Sequence, residues 1–136
     1  MLPAEVFISH SSSDRPFVVS IVEALRRHRV PVWYAPVEII GAQEWHDEIG
    51  AALRRCDWFL AILSPNAANS MWVKRELMFA LNEGRYQGRI IPLLFQPCDY
   101  ASLSWTLPAY QIVDFTQQFD DGCISLLRVW GLEYHL

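Results

Sequence analysis

Five short apolar runs, interleaved with stretches of helical periodicity, constrain this 136-residue chain more than any other feature. Glu5–Ser9, Val32–Tyr34, Trp58–Leu63, Ile90–Phe95 and Gln111–Phe115 read as strands. The central runs are apolar throughout rather than alternating, which is the pattern of strands covered on both faces. Asp14 is the expected N-cap of a first helix, with Pro16 in its first turn. Phe17, Val18, Ile21, Val22 and Leu25 then recur at helical spacing. After a loop over Ala35–Gln43, Trp45, Ile49, Ala52 and Leu53 mark a second helix. Ser64-Pro65-Asn66 reads as a turn. Ser70 is the expected cap of a third helix running through Asn82, with Gly84 helping to end it. Gln96–Tyr110, carrying Pro97 and Pro108, reads as a long connection, and Asp121 as the cap of a last helix ending near Gly131.

Strands alternating with helices build a parallel sheet. The expected fold class is α/β: a flavodoxin-like, doubly wound, five-stranded parallel sheet of order 2-1-3-4-5 with helices on both faces. The length suits one domain over residues 1–136. With 52% hydrophobic and 19% charged residues, the composition argues for a packed core. Ligands of such sheets bind outside the carboxyl ends of the strands, at the switch point between strands one and three. The loops there are Ser9–Asp14 and Ser64–Ser70, with Ala35–Gln43 leaving the adjacent strand. Glu76 lies on the helix that starts at this edge, and Trp72, four residues earlier, shares a face with it. An indole beside a carboxylate is one way to hold a sugar or nucleotide. It is equally the pattern of a core tryptophan with a solvated glutamate above it, and spacing leaves both open.

Several chemistries are excluded. The glycines at 41, 50, 84, 88, 122 and 131 make no GxGxxG, P-loop or GxSxG motif. His10, His28, His46 and His135 lack metal spacing, and Cys56, Cys98 and Cys123 are odd in number with no CxxC, so no metal site and no disulfide framework are expected. A phosphorelay receiver would need acidic residues after the first strand, an Asp after the third and a Lys after the fifth. Those ends carry Ser9-His10, Ser64 and Phe115-Thr116, and the one lysine is Lys74. A net charge of -4 disfavours a nucleic-acid partner, while ten arginines suit phosphate or carboxylate recognition. The longest apolar run, Trp58–Leu63, is too short to span a bilayer, so no membrane partner is expected. With no signal-peptide pattern and unpaired cysteines, the expected location is cytoplasmic.

The pieces together resemble a Toll/interleukin-1 receptor (TIR) domain of the bacterial type. Phe7-Ile8-Ser9-His10-Ser11-Ser12-Ser13-Asp14 is similar to the family's first box. Val32-Trp33-Tyr34 followed by Ile39-Ile40-Gly41 is similar to its second strand and BB loop, and Ala61-Ile62-Leu63-Ser64-Pro65-Asn66 to its third strand and turn. Trp72-Val73-Lys74-Arg75-Glu76-Leu77 is similar to its Trp-x-x-x-Glu helix, and Ile90-Ile91-Pro92-Leu93-Leu94 to its fourth strand. Five pieces in order over nearly the whole chain are a specific signal.

The resemblance implies one of two functions. Some members are scaffolds that recruit other TIR domains. Others cleave NAD+ at the nicotinamide–ribosyl bond, with the motif's Glu as catalytic residue, which here is Glu76. The full motif favours the enzyme: an NAD+ glycohydrolase or cyclase in bacterial immune signalling, with NAD+ as substrate and no cofactor. The implied ligand contacts are Phe7, Ser9, His10, Ser11, Tyr34, Trp72 and Arg75. Many cleaving members carry an Asp where this chain has Ala35. The BB loop, with Ile39, Ile40 and Gly41, is implied to enter a neighbouring subunit, so self-assembly and a sensor domain or subunit are further expected partners.

Overall fold

The computed structural model describes residues 2–35 and 42–136, the side chains of 42–45 excepted. Five strands form one sheet: β1 (Val6–Ser9), β2 (Val32–Tyr34), β3 (Trp58–Leu63), β4 (Ile90–Leu94) and β5 (Val113–Asp114). Their order is β2-β1-β3-β4-β5 and every pairing is parallel, as expected. The helices are α1 (Arg15–Arg27), α2 (Ala42–Arg55), α3 (Pro65–Ala68), α4 (Met71–Leu81) and α5 (Phe119–Arg128).

Successive strand residues point to opposite faces, and this sorts the core into two layers. Val6 and Ile8 pack with α1 and α5 through Val18, Ile21, Leu25, Leu126 and Leu127. Phe7 faces the other way and packs with α2 and α4 through Ile49, Leu53, Val73 and Leu77. Ser9 has the parity of Phe7, so its side chain is directed to the α2/α4 side at the carboxyl end of β1.

The structure departs from expectation where a side chain's partner is distant in sequence. Asp14 precedes α1 but makes no capping bond. Its carboxylate is buried and accepts from Ser64 Oγ and, at 3.1 Å, from Asn66 Nδ2, which ties the β1–α1 loop to the end of β3. The expected turn at Ser64-Pro65-Asn66 is the start of α3, capped by Ser64 Oγ accepting from Ala67 N at 3.0 Å. Ser70 caps α4 as expected, its Oγ accepting from Val73 N at 3.2 Å. That helix ends at Leu81, and Gly84 begins a separate 3-10 turn. The fifth strand shrinks to Val113–Asp114, the two residues of the expected run that find ladder partners, Leu93 and Leu94 at the end of β4. The last helix starts at Phe119 after Gln118, so Asp120 and Asp121 lie in its first turn, where carboxylates complement the helix dipole. Gly122 of α5 lies against the end of β5: a Cβ there would sit 2.5 Å from the Phe115 ring.

Candidate functional site

On α4 the buried positions are Val73, Glu76, Leu77 and Ala80, the three-and-four spacing of a core-facing stripe. A glutamate thus occupies a position where an apolar residue would normally pack. Glu76 is 8% exposed. Ser9, fully buried at the end of β1, donates its hydroxyl hydrogen to Glu76 Oε1 at 2.6 Å. Among the described residues Oε2 accepts no hydrogen bond. Burial pushes the Glu76 carboxyl up to about 7, while the Ser9 bond opposes the rise by favouring the charged form. A carboxyl poised near neutral pH is suited to proton transfer or, once ionised, to holding a developing cation.

Trp72 is 42% exposed. The ordinary alternative of a core tryptophan beneath a solvated glutamate is therefore inverted: the carboxyl is buried and the indole is open. Both line a cavity of about 270 Å³ between α2 and α4. Arg75 and Phe79 complete the α4 wall, and His46, Ile49, Leu53 and Arg54 form the facing wall. The Arg75 guanidinium lies 5.7 Å from the centre of the Trp72 ring, a cation–π contact that orients both groups at the rim. His46, Arg54 and Phe79 were not among the expected site residues. His46, Ile49 and Leu53 share one face of α2 by their three- and four-residue spacing, and Phe79 follows Glu76 by three. That spacing is visible in the chain, but which two helices face each other is decided by the sheet order.

The remaining expected contacts lie elsewhere along the same edge. Phe7 is fully buried, stacked between Trp33 at 5.1 Å and Phe59 at 5.5 Å, and does not line the cavity. His10 is partly exposed, with its ring 6.3 Å from Tyr34. Burial holds its imidazole below the usual range, which favours the neutral form. Tyr34 carries the Arg15 guanidinium at 4.9 Å and that of Arg26 at 5.8 Å over its ring. Arg15 Nη1 also donates to the Ala35 carbonyl at 2.6 Å, fixing the chain where it leaves β2. Ser11 Oγ accepts from Ser13 N at 3.3 Å and so stabilises its own turn. Trp72, Arg75 and Glu76 are thus brought together, Ser9 meets them through Glu76, and His10 and Tyr34 form a second group. Ile39, Ile40 and Gly41 lie outside the described residues. Among the described residues no cluster of His, Cys, Asp or Glu could hold a metal ion, and no helix is long and apolar enough to cross a membrane.

Known proteins with similar folds and sequences bear on this geometry. The TIR domain of the Toll-related receptor TRR-2 from Hydra magnipapillata superposes with a TM-score of 0.74 at 18% identity, over 92% of this chain and 94% of that one. The TIR domains of the activated Roq1 resistosome superpose with a TM-score of 0.67 at 16% identity, over 93% and 98%. These two likenesses establish the fold. The NAD(+) hydrolase TcpC of Escherichia coli O6:H1 (strain CFT073) is 31% identical over 90 residues, covering 65% of this chain. The chain spans 29% of that protein's length. A family model described as TIR domain matches residues 6–127, and with nearly the whole chain inside that match, the protein belongs to the TIR domain family.

Proposed function

We propose that this TIR domain cleaves NAD+ at the nicotinamide–ribosyl bond, with Glu76 as the catalytic carboxylate. The observation that carries the reading is the burial of Glu76 on the wall of a cavity beneath an open tryptophan. The 31% identity to a protein named as an NAD(+) hydrolase supports the same substrate.

Glycoside hydrolysis commonly needs a carboxylic acid to protonate the leaving oxygen. Here the leaving nitrogen is already cationic. The C1′–N bond breaks, its electron pair neutralises nicotinamide, and positive charge builds on the ribose. Ionised Glu76 stabilises that charge and holds the ribose hydroxyls. Water then attacks C1′ and loses a proton to give ADP-ribose, or an adenine ring nitrogen attacks to give a cyclic ADP-ribose. The Trp72 ring offers a stacking face, and Arg75 is in reach of a phosphate. His10, Ser11 and Tyr34 would meet the distal part of a dinucleotide lying along the same edge.

A cavity of about 270 Å³ falls short of the ~300–1,000 Å³ usual for ligand pockets, so it suits one end of NAD+. We take the rest of the site to come from assembly, with the loop carrying Ile39, Ile40 and Gly41 reaching a neighbouring subunit. The setting is cytoplasmic immune signalling against phage, with a sensor domain or subunit as trigger.

The test is to incubate concentrated protein with NAD+ and separate nicotinamide, ADP-ribose and cyclic products by chromatography. Removing one preorganised electrostatic group costs roughly 10²–10³ in turnover. Glu76→Ala should therefore lose at least that much nicotinamide release while keeping its fold. Undiminished release by folded Glu76→Ala would sink the assignment. No release by assembled wild type would leave a non-catalytic TIR scaffold as the function.

A further inference from the structure

We propose that Ser9 is a positioning residue: its hydroxyl pins one oxygen of Glu76 so that the other is presented to the cavity. The inference rests on the reading of Glu76 as the reacting carboxylate. Ser9 is fully buried and does not line the cavity. Its partner instead is Glu76 Oε1, at 2.6 Å across 67 residues of sequence. This is a short bond for a hydroxyl donor, within the range of charge-assisted pairs.

Both ends of the bond are held by secondary structure. Ser9 closes β1, in parallel register with Ala61 of β3. Glu76 lies mid-helix, between the buried anchors Val73 and Leu77. Strand parity makes the hydroxyl point at α4, because Ser9 follows Phe7 by two and Phe7 packs on the α2/α4 side. The donor is the last side chain β1 can offer on that face before the chain turns away at His10. A buried carboxylate without a donor would favour its protonated form and lose its orientation. Ser9 opposes both, since a hydroxyl donating to a carboxylate stabilises the charged form in one geometry.

The test follows the ionisation of Glu76 itself, without substrate. The whole chain is labelled with carboxyl-¹³C glutamate and titrated by NMR, and the Glu76 signal is identified by its absence in Glu76→Gln. In Ser9→Ala the Glu76 midpoint should rise by about one to two pH units. Ser9→Cys, with a weaker donor of similar size, should fall between wild type and Ser9→Ala. Nicotinamide release at pH 7 should drop roughly tenfold in Ser9→Ala and return as the pH is raised past the new midpoint. Loss of packing would not be reversed by pH. A midpoint unmoved in folded Ser9→Ala overturns the proposal, and if that variant does not fold, an unmoved midpoint in Ser9→Cys does so. A wild type that releases no nicotinamide would sink the NAD+ reading and leave the titration to decide the role of Ser9.

Discussion

Replacing Glu76 with glutamine should stabilise the fold above neutral pH and do so progressively less as the pH falls. The native carboxyl titrates near 7, against an ordinary value of 4.5. Below pH 4.5 the group is protonated in the folded and unfolded states alike, and the stability associated with its raised value is fully present. Between 4.5 and 7 the unfolded chain ionises while the native state still holds the proton, so stability falls as pH rises. Above 7 the deficit is constant. Its size is about 2.5 pH units at 1.36 kcal/mol each, or about 3 kcal/mol. At 8% exposure, solvent screening reduces this little. Glutamine keeps the shape and cannot ionise, and every other titrating group is common to both proteins. Urea unfolding at pH 5 and pH 8 isolates the effect. The advantage of Glu76→Gln over wild type should grow by about 2–3 kcal/mol between the two, or about 1 M or more in midpoint at a slope of ~2 kcal/mol per M. A difference that stays flat with pH, or grows toward acid, would refute the account of Glu76 as a carboxyl held in a desolvated site.

Three further outcomes are expected. The same ionisation should appear as a rise in kcat/KM for NAD+ with a midpoint near pH 7, since the free enzyme's carboxyl must lose its proton to hold a ribosyl cation; a rate constant across pH 5–9 would contradict it. Specific NAD+ cleavage should fall on dilution if a neighbouring subunit completes the site, and a constant value over a wide dilution series would count against assembly. Gly122→Ala should lower stability by about 1–3 kcal/mol in thermal or urea unfolding, because its Cβ would meet the Phe115 ring at 2.5 Å and force α5 away from β5; an unchanged midpoint would mean that the ring moves aside freely.

The fold was legible because its strands are apolar without alternation. Trp58–Leu63 and Ile90–Leu94 carry no polar face, and only a sheet covered on both sides can bury them. What stayed hidden depends on side chains meeting across the sheet. Asp14 has the composition of a helix cap, yet Ser64 and Asn66, fifty and fifty-two residues on, capture its carboxylate instead. The extent of β5 was also hidden, because only Val113 and Asp114 of the run Gln111–Phe115 find ladder partners, Leu93 and Leu94 at the end of β4.

The site itself was half legible, and the missing half is informative. The spacing of Trp72 and Glu76 was plain, but which of the two was buried was not. The sequence of α4 could not decide it, because Met71, Trp72, Met78 and Phe79 are as apolar as Val73, Leu77 and Ala80 yet exposed; only the packed helix shows that Glu76 lies on the buried stripe, with Lys74 and Arg75 off it. A glutamate with no task beneath the surface would be more stable one position earlier, in water. Keeping it on the stripe costs about 3 kcal/mol at neutral pH and above, a large part of what holds a domain of this size together. Local rules are broken in this way mainly at functional sites, where a perturbed group is needed for its chemistry. The conflict between the buried position and the residue type therefore marks Glu76 as a functional-site candidate on grounds that stand apart from any likeness to other proteins.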